Sequence, residues 1–315
     1  MHPTVLLSHR ILGDGSDALF EELTTRLEDV DIQQADGDSA FRELLLDAEV
    51  LVTQRFEDWF LDDAPNLQWV QALSAGYDMY PLDELEARDI VLTTASGVHA
   101  EPIAEQILGY LLSFERNIHR GIHQQRDGEW NRYFGGELRG RTVGIVGLGA
   151  IGSRAAELCC SLGMTVLGTK RDPSTAPEAV DEVYGPDGLD ELLDRSAYLV
   201  VACPLTDETR GLIDAAALDL LDDRAVVVNV GRGEIIDEEA LVDALESGEL
   251  RGAALDVFEE EPLPSSSPLW DRRDVIVTPH MAGSTPFYWK RCADIVEDNL
   301  ERYRSGAGEF RNRIV

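Results

Sequence analysis

Lysine is almost missing from this chain. Only Lys170 and Lys290 occur in 315 residues, so the 27 basic side chains are nearly all arginine, set against 60 acidic ones for a formal net charge of −33. Such a field repels phosphate backbones and excludes a nucleic-acid binder that works by bulk electrostatics. The acid is spread along the whole chain rather than gathered in a tail. That is the pattern of a surface kept soluble by repulsion and hydration, as halophilic cytoplasmic proteins use. Cysteine is scarce too. Cys159, Cys160, Cys203 and Cys292 show no C-x-x-C spacing, so the expectation is four buried free thiols in a reducing cytoplasm. No run of about 18 apolar residues occurs, and no N-terminal apolar stretch, so neither a membrane span nor a signal peptide is expected.

What is present is an alternation. The length suggests two domains, and 44% hydrophobic residues suffice for their cores. Apolar runs at 5–8, 48–53, 67–73 and 90–93, with helical spacing at 17–27 and 82–88 and turn residues at 13–16, predict a parallel sheet covered by helices. Ala75 and Gly76 follow a strand end, where free backbone amides could hold a carboxylate; an ordinary turn fits as well. Ile103, Ile107, Leu108, Leu111, Leu112 and Ile118 predict one long helix with Pro102 at its first position, able to bridge two domains or meet a partner subunit. His119 and His123 lie one turn apart near its end without a third ligand close by, so helix-end charge is expected there and no metal. Strands at 142–146, 165–168, 198–203, 225–230, 253–257 and 275–278 then predict a six-stranded doubly wound domain, and a C-terminal helix at 289–304 is long enough to return to the first.

The stretch that organises the chain is Thr142-Val143-Gly144-Ile145-Val146 running into Gly147-Leu148-Gly149-Ala150-Ile151-Gly152 and then a helical segment. Strand, G-x-G-x-x-G and helix in that order is the dinucleotide fingerprint. Gly147 serves the tight turn, Gly149 the approach of a pyrophosphate, and Gly152 the helix–strand packing, with the anion at the helix N-terminus. An NAD site carries an acid about 20 residues on. Here that place holds Lys170 and Arg171, which suit the 2′-phosphate of NADP(H), with NAD(H) left possible and Asp172 the competing signal for a ribose.

Three polar residues close successive strands: Arg232, Glu261 and His280. Such a set can reduce a 2-keto acid, with Arg232 on the carboxylate, His280 as general acid, and Glu261 stabilising the imidazolium. A lone histidine after a strand is more often structural, and a glutamate within Glu259-Glu260-Glu261 more often solvated. Arg232 between two glycines stands out, because that loop must approach something closely.

These residues carry a resemblance. The glycine run, CPLTDETRGLI at 203–213, NVGRGEIIDEEAL at 229–241, LDVFEEEPLP at 255–264 and VIVTPHMAGST at 275–285, with SAGYD at 74–78 and SGVHAEPIAEQ at 96–106, resemble the D-isomer-specific 2-hydroxyacid dehydrogenase family over nearly the whole chain. The resemblance implies a Rossmann-type doubly wound α/β coenzyme domain at 99–283 and a smaller flavodoxin-like α/β substrate domain at 1–98 and 284–315, with a cleft between them. It implies NAD(P)-dependent reduction of 2-keto acids to D-2-hydroxy acids, with Arg232, Glu261 and His280 catalytic. Glu261 is the glutamate chosen because it directly precedes Pro262. Ala75, Gly76 and Arg232 would meet the substrate. Gly147, Gly149, Ala150, Ile151, Gly152, Lys170, Arg171, Cys203, Thr209, Val230, Asp256 and Gly283 would meet the cofactor, Asp256 at the nicotinamide carboxamide. A homodimer through the crossover region is implied as well. His99 departs from the family's usual Asn, and Lys170 from its usual acid, as in the NADP-preferring glyoxylate and hydroxypyruvate reductase-like branch. A D-3-phosphoglycerate dehydrogenase is the enzymatic alternative, for which Arg55 is the obvious phosphate partner. A dinucleotide-sensing protein without turnover is the alternative of another class.

Overall fold

The computed structural model describes residues 3–11, 15–77, 79–306 and 309–315. Part of the turn expected at 13–16, and Asp78 of the SAGYD run, lie outside them. The chain divides into two compact units, Met1–Val98 with Thr285–Val315, and His99–Ser284.

The first unit contains β1 (Thr4–Leu7), α1 (Gly15–Arg26), β2 (Asp31–Gln34), α2 (Asp38–Leu45), β3 (Val50–Thr53), α3 (Phe60–Asp63), β4 (Trp69–Ala72), α4 (Leu82–Ala87) and β5 (Val91–Thr93). The five strands are parallel in the order β2-β1-β3-β4-β5. Side chains alternate across a strand. Val5, Leu7, Val50, Val52 and Trp69 therefore pack in one core, and Leu6, Leu51 and Val70 in another on the opposite face. A sheet buried on both sides needs the continuous apolar runs seen in the sequence. The C-terminal helix, Tyr288–Ser305, packs on α1, where Arg26 reaches Asp294 at 2.6 Å. Its buried Asn299 bonds Gln71 of β4 at 3.2 Å. The tail beyond it runs antiparallel to β5, with Ile314 N–H on Leu92 O.

The second unit opens with α5 (Ala100–Glu115) and α6 (Ile118–Asp127). It continues through β6 (Thr142–Val146), α7 (Ala150–Ser161), β7 (Thr165–Thr169), β8 (Glu182–Tyr184), α8 (Leu189–Asp194), β9 (Tyr198–Val201), α9 (Ala215–Leu218), β10 (Val226–Asn229), α10 (Glu238–Ser247), β11 (Gly252–Leu255) and β12 (Val275–Val277). Its parallel sheet runs β12-β11-β10-β9-β6-β7-β8. The order reverses direction at β6, beside β9, which is where doubly wound sheets bind ligands. Seven strands replace the expected six. The addition, β8, is a three-residue edge strand of sequence Glu-Val-Tyr, too short and polar to show an apolar run.

Four further expectations are corrected. The long helix is two. Asn117 breaks it in the left-handed region at φ 55°, and its side-chain amide donates to Phe134 O at 2.8 Å. Pro102 is the third helical residue rather than the first, still within the turn whose N–H groups have no helical partner. His119 therefore sits at the start of α6 and bonds Ser113 O in the last turn of α5 at 3.0 Å. Burial pushes its pKa down, so it serves that helix end as a neutral imidazole, not as a charge. Of the cysteines, Cys160 is exposed on α7 while the other three are buried. Among the described residues no helix is long and apolar enough to cross a membrane.

Candidate active site

The glycine run forms a cradle at the end of β6. Gly147 stands at φ 100°, and a Cβ there would lie 2.7 Å from the Cys203 backbone. A Cβ on Gly152 would lie 2.1 Å from Gly147 O, so α7 rests directly on the turn. A Cβ on Gly149, by contrast, would meet nothing within 4 Å. Gly149 is the N-cap of α7, whose first amides, at Ala150 and Ile151, lie at the helix end where an anion is favoured. The cradle thus has the close approach and the free amides that a pyrophosphate requires.

The turn is tied to β7 by Gly147 N–H on Thr169 Oγ1 at 3.2 Å and Leu148 N–H on Thr169 O at 3.0 Å. Lys170 and Arg171 follow. Lys170 Nζ donates to Thr175 O at 2.7 Å, while Arg171 is exposed and its charge reaches Glu208. Asp172 accepts from the hydroxyl and the N–H of Ser174, at 2.7 and 3.1 Å, which hold its carboxyl below the usual range. Both bonds fall on Oδ1, so one oxygen of the carboxylate is taken up within its own turn. Beyond β9, the Cys203 thiol is pushed up to about 11 by burial and stays protonated at neutral pH. Thr209 donates to Pro204 O and accepts from Thr206 N–H, both at 2.7 Å, closing its own loop. Val230 is buried, its N–H on Val201 O.

Arg232, Glu261 and His280 lie in loops that leave the carboxyl ends of three adjacent strands. After β10, Asn229 clamps the first loop by accepting Gly231 N–H at 3.0 Å and donating to Arg232 O at 2.9 Å. A Cβ on Gly233 would fall 1.9 Å from the Phe258 carbonyl carbon, so this loop presses on the one after β11. Arg232 is exposed and bonds only its neighbour's carbonyl, Gly231 O, at 2.7 Å; among the described residues no carboxylate pairs with it. Glu261 is fixed twice. Its Oε1 accepts Phe258 N–H at 3.1 Å, and its Oε2 lies 2.7 Å from His280 Nδ1. Geometry also separates it from Glu259, which bonds the N–H of Glu238. With Nδ1 taken by the carboxylate, Nε2 is the nitrogen that His280 can offer outward.

His280 stands at φ 49°, which non-glycine residues rarely adopt, and its N–H donates to Asp256 O at 2.8 Å. The Asp256 carboxylate, expected at a nicotinamide carboxamide, is 2% exposed and turned into this loop. Its Oδ1 accepts from Thr278 Oγ1 and Met281 N–H, and its Oδ2 from Ala282 N–H at 2.9 Å. Gly283 O bonds His99 Nδ1 at 3.1 Å. Ala75 and Gly76 lie in the first unit, exposed beyond β4, with Ser74 Oγ on Gly76 O. Tyr110 and Thr278, which bond each other behind the His280 loop, had no signal in the sequence beyond one tyrosine on an aliphatic helix face.

Residues 108–282 match the family model described as D-isomer specific 2-hydroxyacid dehydrogenase, NAD binding domain. The chain belongs to this family. The dehydrogenase is 35% identical to a glyoxylate reductase of Aeropyrum pernix, over 90% of this chain and 89% of the relative. Its fold matches a D-isomer specific 2-hydroxyacid dehydrogenase of Xanthobacter autotrophicus solved with NADPH and MES, at TM-score 0.82, 31% identity and 99% and 98% coverage of the two chains. It also matches an NADPH-dependent glyoxylate/hydroxypyruvate reductase of Sinorhizobium meliloti solved with NADP and sulfate, at TM-score 0.79, 29% identity and 100% and 98% coverage. The expected reaction class stands: the dehydrogenase interconverts 2-keto acids and 2-hydroxy acids with a nicotinamide cofactor on a Rossmann-type fold.

Proposed function

We propose that the dehydrogenase reduces glyoxylate and hydroxypyruvate with NADPH, and that His280 delivers the proton. The observation that carries this is the His280–Glu261 contact of 2.7 Å, one strand away from an arginine with no carboxylate partner. Arg232 grips the substrate carboxylate, a charge-assisted bond at an exposed site in a chain otherwise rich in acid. Glu261, anchored by Phe258 N–H, holds the imidazole ring through Nδ1 and fixes its orientation. His280 gives its Nε2 proton to the keto oxygen, and takes it back in the reverse direction. The bound cofactor supplies the hydride. Arg171, with Lys170 beside it, receives the 2′-phosphate, because two cations stand where an NAD site carries an acid, and one oxygen of Asp172 is already held by Ser174. The NADP(H)-bound relatives support that preference.

The working form in this reading is a homodimer in a reducing cytoplasm. Trp130 and Phe134, on the segment after α6, are 94% and 98% exposed, and aromatic side chains of that exposure seek a partner surface. Free cysteines fit the compartment, and the acid excess fits a high-salt one.

The test is loss of NADPH or NADH absorbance, in parallel, with glyoxylate, hydroxypyruvate, pyruvate and branched 2-keto acids. Turnover is expected to be fastest with NADPH and the first two. A higher kcat/KM with NADH would overturn the cofactor assignment. Folded protein that binds NADPH and oxidises it with none of them would be a dinucleotide sensor instead.

A further inference from the structure

The left-handed turn that carries His280 is held from behind by a chain of side chains. Thr278 has one hydroxyl proton, and it goes to Asp256 Oδ1 at 2.5 Å. Tyr110 Oη lies 2.5 Å from the same hydroxyl oxygen. With the threonine proton already committed, the phenol must be the donor of that bond. Tyr110 is buried on the face of α5 that otherwise presents Ile103, Ile107, Leu111 and Phe114. A phenol among such neighbours is tolerated only with a partner, and here the partners are Thr278 and, on its own helix, Gln106. Burial raises the Tyr110 pKa, so the donated proton stays in place.

The chain ends on the turn itself. Asp256 passes the contact to Met281 N–H at 3.0 Å and Ala282 N–H at 2.9 Å, just beyond His280. Thr278 lies two residues before it. One carboxylate thereby holds the chain on both sides of the histidine, through the Thr278 hydroxyl before it and two backbone amides after it. A φ of 49° at a histidine persists only where the surroundings over-determine it.

We infer that Tyr110 is a positioning residue for the reduction: through Thr278 and Asp256 it holds the turn that aims His280 at the substrate and keeps its Nδ1 on Glu261. The inference rests on the reading of His280 as proton donor. Tyr110 and Thr278 touch neither substrate nor cofactor in this role. Their effect is on kcat, through the placement of the acid.

The experiment compares Tyr110→Phe, Thr278→Val, the double variant and Thr278→Ser, with His280→Gln in parallel. Readouts are kcat and KM for glyoxylate with NADPH, NADPH affinity by fluorescence, and the His280 ring resonance of the cofactor-free protein. Tyr110→Phe and Thr278→Val should each lower kcat between about 10- and 100-fold, the range that misplacement of a catalytic group by about 1 Å produces. KM and NADPH affinity should stay within about twofold. The double variant should be no slower than the slower single one, because either break severs the same chain. Thr278→Ser, which keeps the hydroxyl, should retain activity and the wild-type His280 resonance, while Tyr110→Phe, Thr278→Val and the double variant shift it. Unchanged kcat, or multiplying losses in the double variant, would overturn the inference, as would a lowered unfolding temperature with normal kcat per folded molecule. If His280→Gln is inactive while Tyr110→Phe is normal, the positioning role alone fails. If His280→Gln keeps its turnover, the proton-donor reading fails and takes this inference with it.

Discussion

Glu261 and His280 show how little of a site is carried by residue type alone. Glutamates at 259, 260 and 261 are chemically the same, yet only Glu261 has one oxygen on Phe258 N–H and the other on the imidazole. Removing the histidine tests the proposed proton step directly. His280→Gln should lower kcat by about two to four orders of magnitude and leave NADPH affinity near normal, because in the proposed mechanism the ring moves a proton and does not hold the cofactor. A glutamine variant with normal turnover would take His280 out of the mechanism. Arg232 belongs to a different term. Arg232→Ala should raise KM for glyoxylate steeply as well as lowering kcat, and an unchanged KM would place the carboxylate grip elsewhere. Cofactor choice is also decided by single residues. Arg171→Ala should narrow or reverse the ratio of NADPH to NADH kcat/KM, and an unaltered ratio would mean that the 2′-phosphate is recognised by another group.

Elements were legible where a strand is buried on both faces. The runs in β1, β3, β6, β9 and β10 are nearly all β-branched or leucine, and each forms within a residue or two of where the sequence places it. Edge strands β2 and β8 were not legible, because an edge of sequence Asp-Ile-Gln-Gln or Glu-Val-Tyr buries too little to need an apolar pattern. The break between α5 and α6 rests on one asparagine in the left-handed region, invisible in a hydrophobic period that carries straight through it. Motif positions pointed to Arg232, Glu261 and His280 as candidates, and the structure brings Glu261 and His280 into contact. The Asp256–Thr278–Tyr110 chain did not show, because three residues far apart in sequence meet only in the fold.

The close of α5 supplies a stability test. Glu115, its last residue, is 1% exposed and accepts bonds from Tyr198, from Arg141 at 3.3 Å and from Arg251 at 3.2 Å. Burial alone would raise its pKa, but Tyr198 and the two arginines outweigh that and hold it below the usual value. A carboxyl lowered in the folded state contributes stability that is complete above its unfolded pKa of about 4.3 and is lost as pH falls through the lower folded value. Glu115→Gln should therefore be less stable than wild type at pH 7, by about 1–3 kcal/mol for the donors left poorly paired. The gap in urea midpoints should close below about pH 4. A gap independent of pH would mean that the side chain matters by shape and not by charge.

At the scale of the whole molecule, the net charge of −33 must be reconciled with a compact chain. Arginine clusters offset it locally: Arg26 reaches Glu22, Asp294 and Glu297, and Arg154 reaches Glu101 and Glu157. These pairs are exposed or half-buried, so each contributes about 0–1 kcal/mol and loses part of that in salt. Repulsion among the excess acids acts over the entire surface and opposes folding. Salt thus has two opposed effects, weakening a modest set of pairs while relieving a large unpaired excess. In about 1 M KCl the Debye length shrinks to about 3 Å, so charges that are not in direct contact are largely screened from one another. The repulsive part should fall further than the pairing part, and the thermal unfolding midpoint should rise steadily from low salt into that range. Sodium chloride at equal ionic strength should raise it comparably, since screening depends on ionic strength and not on the identity of the cation. A flat or falling midpoint would show that the ion pairs outweigh the excess charge, and the acid would then have to be explained without a saline habitat.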